Sequence, residues 1–472
     1  MICAILIKCE DNTVDDPLRN LINFDHLDHL TERVETEAGD FAIVHIYAEH
    51  PSYEWTDAAD EGIACVDDVA RAAVVHLMHY DFARDAGSLA RAKPLLEFLI
   101  FMQSEDGEFY NFIDSDYGIN KNGTTSRKSF NFWAVRAYWA LAYGYTIYSD
   151  IDEGYATRLK SAFLRCKGLL AAILTHHNRF EVVNGRRYPI WLVNRYGSDA
   201  SAIMILAICK YLEINTDEEL EKMAALLGDG ICEMQVVHDS NHFGAFLSWI
   251  DTWHAWGNAQ VQALSVLGRR PGNEDYISRS RLEADNYFMR LLTYGYLNEW
   301  KLSDERHEVV FPQISYGIRC MALGFLNLYE TTGDSVYAIC SGLTGSWLLG
   351  NNAANALMYD RESGRCNDGI VDSTSINQNA GAESTIEALM TLVALQRHAF
   401  ASMFLFSNSM KGTRTINNEG GRFAYRIYES NDSRIGIVHD IDENTFHVYR
   451  DAELHDFLSQ FPSGTMATVV KN

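Results

Sequence analysis

The stretch Gly62–Leu77, GIACVDDVARAAVVHL, places two adjacent carboxylates at the start of an apolar, alanine-rich segment. Its apolar residues would cover nearly every side of a helix, which predicts a helix buried between two layers. Asp is favoured at helix N-termini, and Asp67 can also pair with Arg71 one turn later. Helix capping therefore accounts for one of the two charges, and a second role is needed for the other.

Segments of the same design recur along the chain at a spacing of roughly 55 to 70 residues. Each is apolar on nearly every side, as a buried inner helix requires. Their predicted starts are Asp67 (VDDVARAAVVHLMHY), Ser129 (SFNFWAVRAYWALAYGYTIY), Ser198 (SDASAIMILAICKYL), Trp253 (WHAWGNAQVQALSVLG), Gln313 (QISYGIRCMALGFLNLYE) and Gly381 (GAESTIEALMTLVALQ).

Segments with a single apolar face lie between these six, as outer helices do. They are SLARAKPLLEFLIFMQ, ATRLKSAFLRCKGLLAAIL, DEELEKMAALLGDGICEMQ, SRSRLEADNYFMRLLTYGYL and VYAICSGLTGSWLLG. The N-terminal LRNLINFDHLDHLTERVE is the predicted sixth outer helix, and AIVHIYAEH after it is a predicted strand. The alternation predicts an all-α fold, an (α/α)6 toroid of six helical hairpins.

The tail changes character, because FAYRIYES, RIGIVHDI and TFHVYR are short β-like runs between polar turns. With only 7 prolines, the helical part shows no linker that would divide it. We therefore expect an N-terminal helix and strand in residues 1–60, a catalytic toroid in 61–400, and a small β-rich appendage in 401–472.

Composition restricts the class of partner. The 472 residues include 39 Lys and Arg against 64 Asp and Glu, a net charge of −25, which repels nucleic acid and anionic membrane surfaces. A neutral or cationic ligand is expected. The N-terminal MICAILIKCEDNTVDD lacks the features of a signal peptide, and no segment is long enough to span a bilayer, so we expect a cytoplasmic protein. No spacing indicates a metal site or a cofactor, and most of the nine cysteines lie in apolar helices as reduced core residues.

The N-termini of all inner helices converge at one end of such a ring, which we call the mouth. Helix capping explains one Ser, Asp or Asn at each start, but not the tryptophans and amides among them. A sugar stacks its C–H faces on aromatic rings, and its hydroxyls need donors and acceptors. The candidate substrate-binding residues are Asn131, Trp133, Trp191, Arg195, Asp199, Trp253, His254, Trp256, Asn258, Gln313, Tyr316 and Asn379.

Ring closure makes the first and sixth inner helices neighbours, so Asp67 and Asp68 should face Glu383 across the mouth. Paired carboxylates cleave glycosidic bonds: one protonates the leaving oxygen and the other activates water. We expect one aspartate to cap the helix and the other to act as general base, with Glu383 as general acid. An inverting enzyme would separate the carboxyl groups by roughly 6.5 to 9.5 Å.

The long polar loop before the sixth inner helix, GNNAANALMYDRESGRCNDGIVDSTSINQNAG, is of a length that is often functional. Its Tyr359, Asp360, Arg361 and Asp368 are expected to complete one wall of the cleft.

The repeated hairpins, the DD pair and the NAGAESTIEAL segment together resemble the six-hairpin glycosidase superfamily, over roughly residues 50 to 400. The order of an early Asp pair and a late Glu is similar to glycoside hydrolase family nine, whose members invert the anomeric centre with an early Asp as base and a late Glu as acid. The resemblance implies hydrolysis of an oligosaccharide by Asp67 or Asp68 and Glu383, without a metal.

Other activities fit the same toroid. A sugar epimerase or isomerase would move protons with histidines, for which His238, His242 and His254 are candidates. A polysaccharide lyase would use a base and a neutralising cation such as Tyr196 and Arg195, although the acidic composition disfavours anionic substrates. A non-catalytic glycan-binding toroid, or a prenyl-diphosphate binder with magnesium on the Asp pair, is the alternative of a different class.

Overall fold

The computed structural model describes most of the chain between residues 18 and 470. The described residues are 18, 20–37, 39–58, 61–239, 241–270, 272–409, 412–418, 420–430, 433–461 and 466–470, with the backbone alone at 305, 306, 418 and 466–470. The helices of this part are α1 (Asp25–Leu30), α2 (Val66–Ala83), α3 (Ala86–Met102), α4 (Phe132–Tyr148), α5 (Glu153–Leu164), α6 (Cys166–Leu174), α7 (Ser198–Tyr211), α8 (Glu218–Glu233), α9 (Gln260–Arg269), α10 (Glu274–Leu282), α11 (Met289–Tyr294), α12 (Ile318–Thr332), α13 (Ser335–Gly345), α14 (Ala382–Gln396), α15 (Ala399–Ser402) and α16 (Ala452–Ser459).

The strands are short and lie mainly in the loops and in the C-terminal region. They are β1 (Thr31–Thr36), β2 (Gly39–Val44), β3 (Tyr47–Glu49), β4 (Glu54–Thr56), β5 (Ala64–Cys65), β6 (Phe112–Ile113), β7 (Phe180–Val183), β8 (Arg186–Pro189), β9 (Thr252–His254), β10 (Glu299–Lys301), β11 (Asp304–Val309), β12 (Gln313–Ile314), β13 (Tyr359–Asp360), β14 (Arg365–Cys366), β15 (Gly369–Asp372), β16 (Ser375–Asn377), β17 (Asn408–Ser409), β18 (Thr413–Asn418), β19 (Gly421–Ser430), β20 (Ser433–Asp440), β21 (Thr445–Arg450) and β22 (Met466–Val470).

Six helices form a closed inner ring: each packs on the next, and α14 returns to α2. The inner helices are α2, α4, α7, α9, α12 and α14. Their side chains are buried on all sides, as in α2, where every residue from Val66 to Met78 is buried. Outer helices α3, α5, α8, α10 and α13 each pack against the inner helix of their own hairpin. The fold is therefore the predicted (α/α)6 toroid.

The sixth outer position differs from the prediction. The helix expected over LRNLINFDHLDHLTERVE covers only Asp25–Leu30, and Thr31–Thr36 form β1, which pairs with β2. Only Val34 of β1 is buried, so this segment has no apolar helical face, and its β-branched residues suit a strand. The short helices α1 and α15 both pack on α14 and occupy the sixth outer position. The strand expected in AIVHIYAEH is confirmed by β2 and β3.

Two inner helices begin later than predicted. The chain reaches α9 through β9 and a 3-10 turn, Ala255–Gly257, and reaches α12 through β12 and a second turn, Ser315–Gly317. Trp253 and Gln313 therefore lie on strands, paired with β10 and β15, and not at helix starts. Within the described residues, every helix is too short or too polar to cross a membrane.

The C-terminal runs FAYRIYES, RIGIVHDI and TFHVYR are confirmed as strands β19, β20 and β21. They belong to an antiparallel sheet in the order β21-β20-β19-β18-β22, with β17 also on β19. This sheet has a small apolar core of its own with α16. The Tyr428 hydroxyl donates to the carbonyl of Leu292 in α11 at 2.5 Å. The sheet therefore contacts the fourth hairpin of the toroid, on its outer side.

Candidate active site

A cavity of about 600 Å³ opens at the mouth, and all six hairpins contribute to its wall. This volume is within the range of small-molecule sites. The lining residues are Asp67, Asn131, Phe132, Val135, Arg136, Asn194, Gly197, Asp199, Ala200, Ile203, Trp249, Thr252, His254, Trp256, Gly257, Ala259, Tyr316, Arg319, Cys320 and Glu383.

Arg71, buried in α2, joins the carboxylates of the first and sixth hairpins. Its Nη2 donates to Asp67 Oδ2 at 3.0 Å and to Asp68 Oδ1 at 2.6 Å. Its Nη1 donates to Glu383 Oε1 at 2.6 Å and to Glu387 Oε1 at 3.2 Å. The structure thus brings together the three predicted catalytic carboxylates, and it adds a guanidinium between them.

Two further arginines complete what we call the Arg71 cluster. Arg136 Nη1 contacts both carboxylate oxygens of Asp67 at 2.5 Å, and Arg319 binds Glu387. Four carboxylates thus meet three guanidinium groups, an excess of one negative charge. Such an excess in a buried site favours the retention of one proton.

The two aspartates of the pair differ in their electrostatics. Burial raises the pKa of Asp68 to about 7, and the nearby carboxylates of Glu383 and Asp67 add to this rise while Arg71 opposes it. Burial also acts to raise the pKa of Asp67, but Arg136 and Arg71 outweigh it, so the pKa of Asp67 is lowered. Asp67 is therefore the ionised member, and Asp68 holds a proton near neutral pH.

Exposure separates the carboxylates into those that face the cavity and those behind it. The Glu383 side chain is 33% exposed and Asp67 lines the cavity beside it, whereas the Asp68 side chain is 5% exposed and lies behind them. The expected capping role of an aspartate is wrong: Cys65 is the N-cap residue of α2, and its Sγ accepts from the Asp68 N–H and donates to Asp68 Oδ2 at 3.3 Å. Both aspartates are turned toward arginines.

The wall across the ring from the Arg71 cluster is formed by α7 and the segment that precedes α9. His254 stacks on Trp256 with ring centroids 4.2 Å apart, and its Nε2 lies 3.5 Å from Asp199 Oδ2. Trp249 and Phe132, 44% and 42% exposed, line the same cavity. Large exposed rings at a polar cavity are suited to stacking on sugars.

Five of the twelve candidate substrate-binding residues lie in the cavity wall. These are Asn131, Asp199, His254, Trp256 and Tyr316.

Three of the predicted tryptophans belong instead to the core. Trp133 and Trp191 donate their indole N–H groups to the carbonyls of Phe109 and Leu226 inside the hairpins, both at 2.9 Å. Trp253 is 1% exposed, because its position on β9 turns the ring against the buried Tyr287. The expectation that these three rings line the mouth is wrong.

Four polar candidates also lie away from the cavity. Asn258 and Gln313 are buried and satisfy interior partners: Asn258 donates to Glu283 at 3.3 Å, and Gln313 accepts from the Trp347 indole at 3.3 Å. The other two have surface partners. Arg195 pairs with the Glu181 carboxylate at 2.7 Å, and Asn379 accepts from the backbone N–H of His50 at 3.1 Å.

The loop before α14 positions the site without lining it, which corrects its expected role as a wall. Tyr359 is buried with its hydroxyl on the Leu21 carbonyl, and neither Asp360 nor Arg361 is among the residues that line the cavity. Asp368 Oδ1 accepts from Gly381 N–H at 3.0 Å and from Ser384 Oγ at 2.8 Å. Asp368 therefore fixes the start of the helix that carries Glu383.

Sequence reasoning missed several members of the site. Arg136, Arg319 and Glu387 each interrupt an otherwise apolar helix, and a charge at such a position is the signal that could have identified them, because buried charges are paired. No comparable signal marks Trp249 and Phe132, because sequence alone does not distinguish an aromatic residue that will be exposed from one that will be buried.

Comparison with solved structures identifies the fold, whereas comparison of sequences finds no match. No protein-family model and no curated protein matches the sequence. Cellobiose 2-epimerase from Spirochaeta thermophila DSM 6192 matches with a TM-score of 0.58 at 14% identity, over 82% of this chain and 98% of that one. A sugar epimerase from a ruminal bacterium matches with a TM-score of 0.56 at 13% identity, over 81% and 98% of the chains.

A glycoside hydrolase matches over a similar length. The GH76A α-1,6-mannanase from Salegentibacter sp. HEL1_6 has a TM-score of 0.50 at 12% identity, over 80% of this chain and 97% of that one. Identities this low show the fold alone. The chain thus has the (α/α)6 six-hairpin fold that is found in both sugar epimerases and mannanases.

Proposed function

We propose that this protein is a glycoside hydrolase that cleaves an oligosaccharide by an inverting mechanism with two carboxylates. One observation carries the proposal: the carboxylates of Asp67 and Glu383 line the same cavity and are held by the same guanidinium, that of Arg71. A pair of carboxylates at one cavity is the apparatus of glycosidic hydrolysis.

The two carboxylates take different roles. Asp67, whose pKa is lowered by Arg136 and Arg71, is the general base that orients and deprotonates the attacking water. Glu383 is the general acid, since it is the most exposed carboxylate of the Arg71 cluster and can reach the glycosidic oxygen. In this proposal Arg71 also stabilises the Glu383 carboxylate that forms when the proton passes to the leaving oxygen.

Aromatic residues provide the sugar contacts in this proposal. Trp249, Trp256 and Phe132 offer ring faces in the cavity, and Asn131 offers an amide for hydroxyl groups. Further support is an analogy: one mannanase that matches the fold was solved with α-1,6-mannotriose as an inactive variant in which two consecutive aspartates are replaced. This chain also has a consecutive pair, Asp67 and Asp68.

The first prediction tests the acid. In a panel of α- and β-linked oligosaccharides, the wild type should release new reducing ends from at least one member. Glu383→Gln should lower its kcat by about 10²- to 10⁴-fold, because the amide keeps the shape but carries no acidic proton. The exposed Glu54→Gln on β4 is the matched control and should act as wild type. A Glu383→Gln variant with wild-type kcat would refute the role of Glu383. NMR of the wild-type reaction reports the anomeric configuration of the first product, and retention of the substrate's configuration would refute inversion.

An epimerase or isomerase of free sugars is the second candidate, favoured by the 3.5 Å approach of His254 to Asp199 in the cavity. Hydrolysis is preferred because, among the described lining residues, His254 is the single histidine, whereas Asp67 and Glu383 form a pair. Incubation in deuterated water distinguishes the two. An epimerase would incorporate deuterium at a sugar carbon without forming new reducing ends, and His254→Asn would abolish that exchange.

A further inference from the structure

A large aromatic ring lies beside the candidate active site without a role in the reaction proposed above. Tyr47, on β3, is 46% exposed, and it is not among the residues that line the cavity of about 600 Å³. Isolated exposed rings are common on protein surfaces. The position and surroundings of Tyr47 therefore decide whether it has a function.

Backbone hydrogen bonds place Tyr47 directly opposite the start of α14. The carbonyls of the two residues that flank Tyr47 accept from the backbone N–H groups of the two residues that flank Gly381, at 2.9 and 3.0 Å. The Tyr47 Cδ1 atom lies 3.9 Å from the point that a Cβ on Gly381 would occupy, so the ring touches this residue. Gly381 is the N-cap residue of α14, and Glu383 follows in its first turn. Tyr47 is thus fixed next to the segment that carries the proposed general acid.

The β3–β4 hairpin that carries Tyr47 is also held from its other side. After β3, the backbone N–H of His50 donates to the side-chain oxygen of Asn379 at 3.1 Å. On β4, the indole of Trp55 donates to the carbonyl of His29 in α1 at 3.0 Å. The hairpin is therefore attached both to α1 and to the loop before α14, and it presents the Tyr47 ring from a rigid support.

The charges that act on Tyr47 place its hydroxyl near the acidic groups of the site. Burial raises the pKa of Tyr47, and the charges of Glu61, Asp68 and Glu383 raise it further. Among the residues that the structure describes, none forms a hydrogen bond with the Tyr47 hydroxyl, so this group is available to a ligand. Because Glu383 borders the cavity and Tyr47 does not, the ring extends the surface around Glu383 beyond the cavity.

Hydrolysis by the proposed mechanism needs contacts on both sides of the general acid. Asp67 activates water inside the cavity, so the sugar whose anomeric carbon is attacked lies there. The departing sugar is attached through the oxygen that Glu383 protonates, and it has to leave toward solvent. It therefore extends from Glu383 out of the cavity, where Tyr47 offers an exposed ring.

We propose that Tyr47 binds the leaving-group sugar by stacking and thereby selects substrates in which the leaving group is a saccharide; this inference rests on the hydrolysis proposed above. The C–H face of a sugar packs on an aromatic ring, and the free phenol can bond to one of its hydroxyl groups. Binding energy from a part of the substrate that does not react can be used to lower the barrier of the reaction. The contact should therefore increase kcat/KM for an oligosaccharide.

Two substrates that differ only in the leaving group test this role. One is the member of the oligosaccharide panel that the wild type cleaves, and the other is the glycosyl fluoride in which fluoride replaces its leaving sugar. Tyr47→Ala should lower kcat/KM about five- to tenfold on the oligosaccharide and leave it within about twofold of wild type on the fluoride. Trp249→Ala, which removes a ring of the cavity, should lower kcat/KM on both substrates. Phe82→Ala, which removes an exposed ring at the other end of α2, should affect neither.

Product inhibition provides a second measurement that does not depend on the fluoride. Tyr47→Ala should weaken inhibition by the leaving sugar about five- to tenfold and should not change inhibition by the other product. Tyr47→Phe keeps the ring and should stay within about threefold of wild type in both measurements. Tyr47→Leu keeps an apolar side chain against Gly381 and replaces the alanine variant if that variant does not fold.

The outcomes separate this inference from the proposed function. A wild type that cleaves no oligosaccharide and no glycosyl fluoride would refute hydrolysis, and the role of Tyr47 with it. An active wild type would overturn the role of Tyr47 alone if Tyr47→Ala keeps full activity on the oligosaccharide, or if it loses the same factor on both substrates and for both products. The second result would mean that Tyr47 acts only by supporting Glu383.

Discussion

Arg71 contacts four carboxylates from two helices that lie more than three hundred residues apart in the chain. A lysine could not replace it, because the planar guanidinium presents separate N–H groups to separate carboxylates. The nearby carboxylates of Glu383 and Asp67 add to the rise in the pKa of Asp68, so the charge of this acid depends on its neighbours. The charge at this site is therefore a property of the whole Arg71 cluster and not of a single acid.

The raised pKa of Asp68 predicts a specific pH dependence of stability. The folded pKa is about 7 and the unfolded value is about 3.8, so the folded state binds the proton more tightly between these values. The free energy of unfolding contributed by Asp68 therefore falls as pH rises from about 4 to about 7 and is constant above that.

Asp68→Asn removes this contribution. The difference in melting temperature between Asp68→Asn and wild type should shift in favour of the variant as pH rises from about 4 to about 7, measured by differential scanning calorimetry. Asp150→Asn, at an exposed turn after α4, serves as the control. A difference that does not change with pH in this window would contradict the assignment.

Exposed and buried tryptophans should respond differently to substitution. Trp249→Ala should raise KM by roughly five- to tenfold through the loss of a stacking surface of about 1 kcal/mol, with stability nearly unchanged. Trp133→Phe should instead lower the free energy of unfolding by roughly 1–3 kcal/mol and leave KM as it is, because the Phe109 carbonyl keeps only its bond from the Ser129 N–H and part of the indole volume is left empty. Urea unfolding and steady-state kinetics measure both. An unchanged KM in Trp249→Ala would remove that ring from the site.

The sequence distinguishes residue types but not the depth at which a helix start places them. Asp67 and Glu383 were predictable because charges at the ends of buried helices need a reason. Trp133 and Trp256 look alike in sequence, and only the packing of neighbouring segments decides that the first is core and the second lines the cavity.

At the scale of elements, the start of α14 is fixed by a side chain from the preceding loop. Asp368 is half-buried and accepts from the backbone N–H of the N-cap residue Gly381 and from the Ser384 hydroxyl, so it ties the preceding loop to the first turn of α14. Because Glu383 lies between these two residues, its direction depends on Asp368.

Asp368→Ala should therefore lower kcat by about tenfold or more, with a smaller rise in KM, and should cost roughly 1–2 kcal/mol of stability through the two lost hydrogen bonds. Asp360→Ala, in the same loop but bound only to surface partners, is the matched control. Kinetics and urea unfolding check both variants. A stability loss in Asp368→Ala with unchanged kcat would mean that the contact is structural only.

Element boundaries were less predictable than element types. The six inner helices are recognisable because burial on all sides requires apolar residues at every turn. The late starts of α9 and α12 were not predictable, because the segments from Trp253 and from Gln313 lead into the apolar helices without a break in sequence, although both residues lie on strands that pair with β10 and β15. Strand partners far away in sequence decide these boundaries.

At the scale of the whole molecule, closure of the ring of inner helices brings Asp67 on α2 and Glu383 on α14 to the same cavity. The contact of α14 with α2 followed from the count of six hairpins, and the sequence could predict it because a toroid has no free inner edge. The sixth outer layer was not predictable, since it is built from the short helices α1 and α15 at opposite ends of the toroid sequence.

Buried ion pairs join the helices where the ring closes, and their energetics can be tested. Glu387 of α14 binds Arg71 of α2 and Arg319 of α12, and all three side chains are nearly inaccessible. Removing Glu387 leaves the buried Arg319 guanidinium without its carboxylate, whereas removing both takes this charge away as well. Glu387→Met should thus cost roughly 3–5 kcal/mol of unfolding free energy, and adding Arg319→Met should recover much of that loss. Urea unfolding of the two single variants and the double variant measures the coupling. Strictly additive losses would show that the closure depends on helix packing and not on this charge pair.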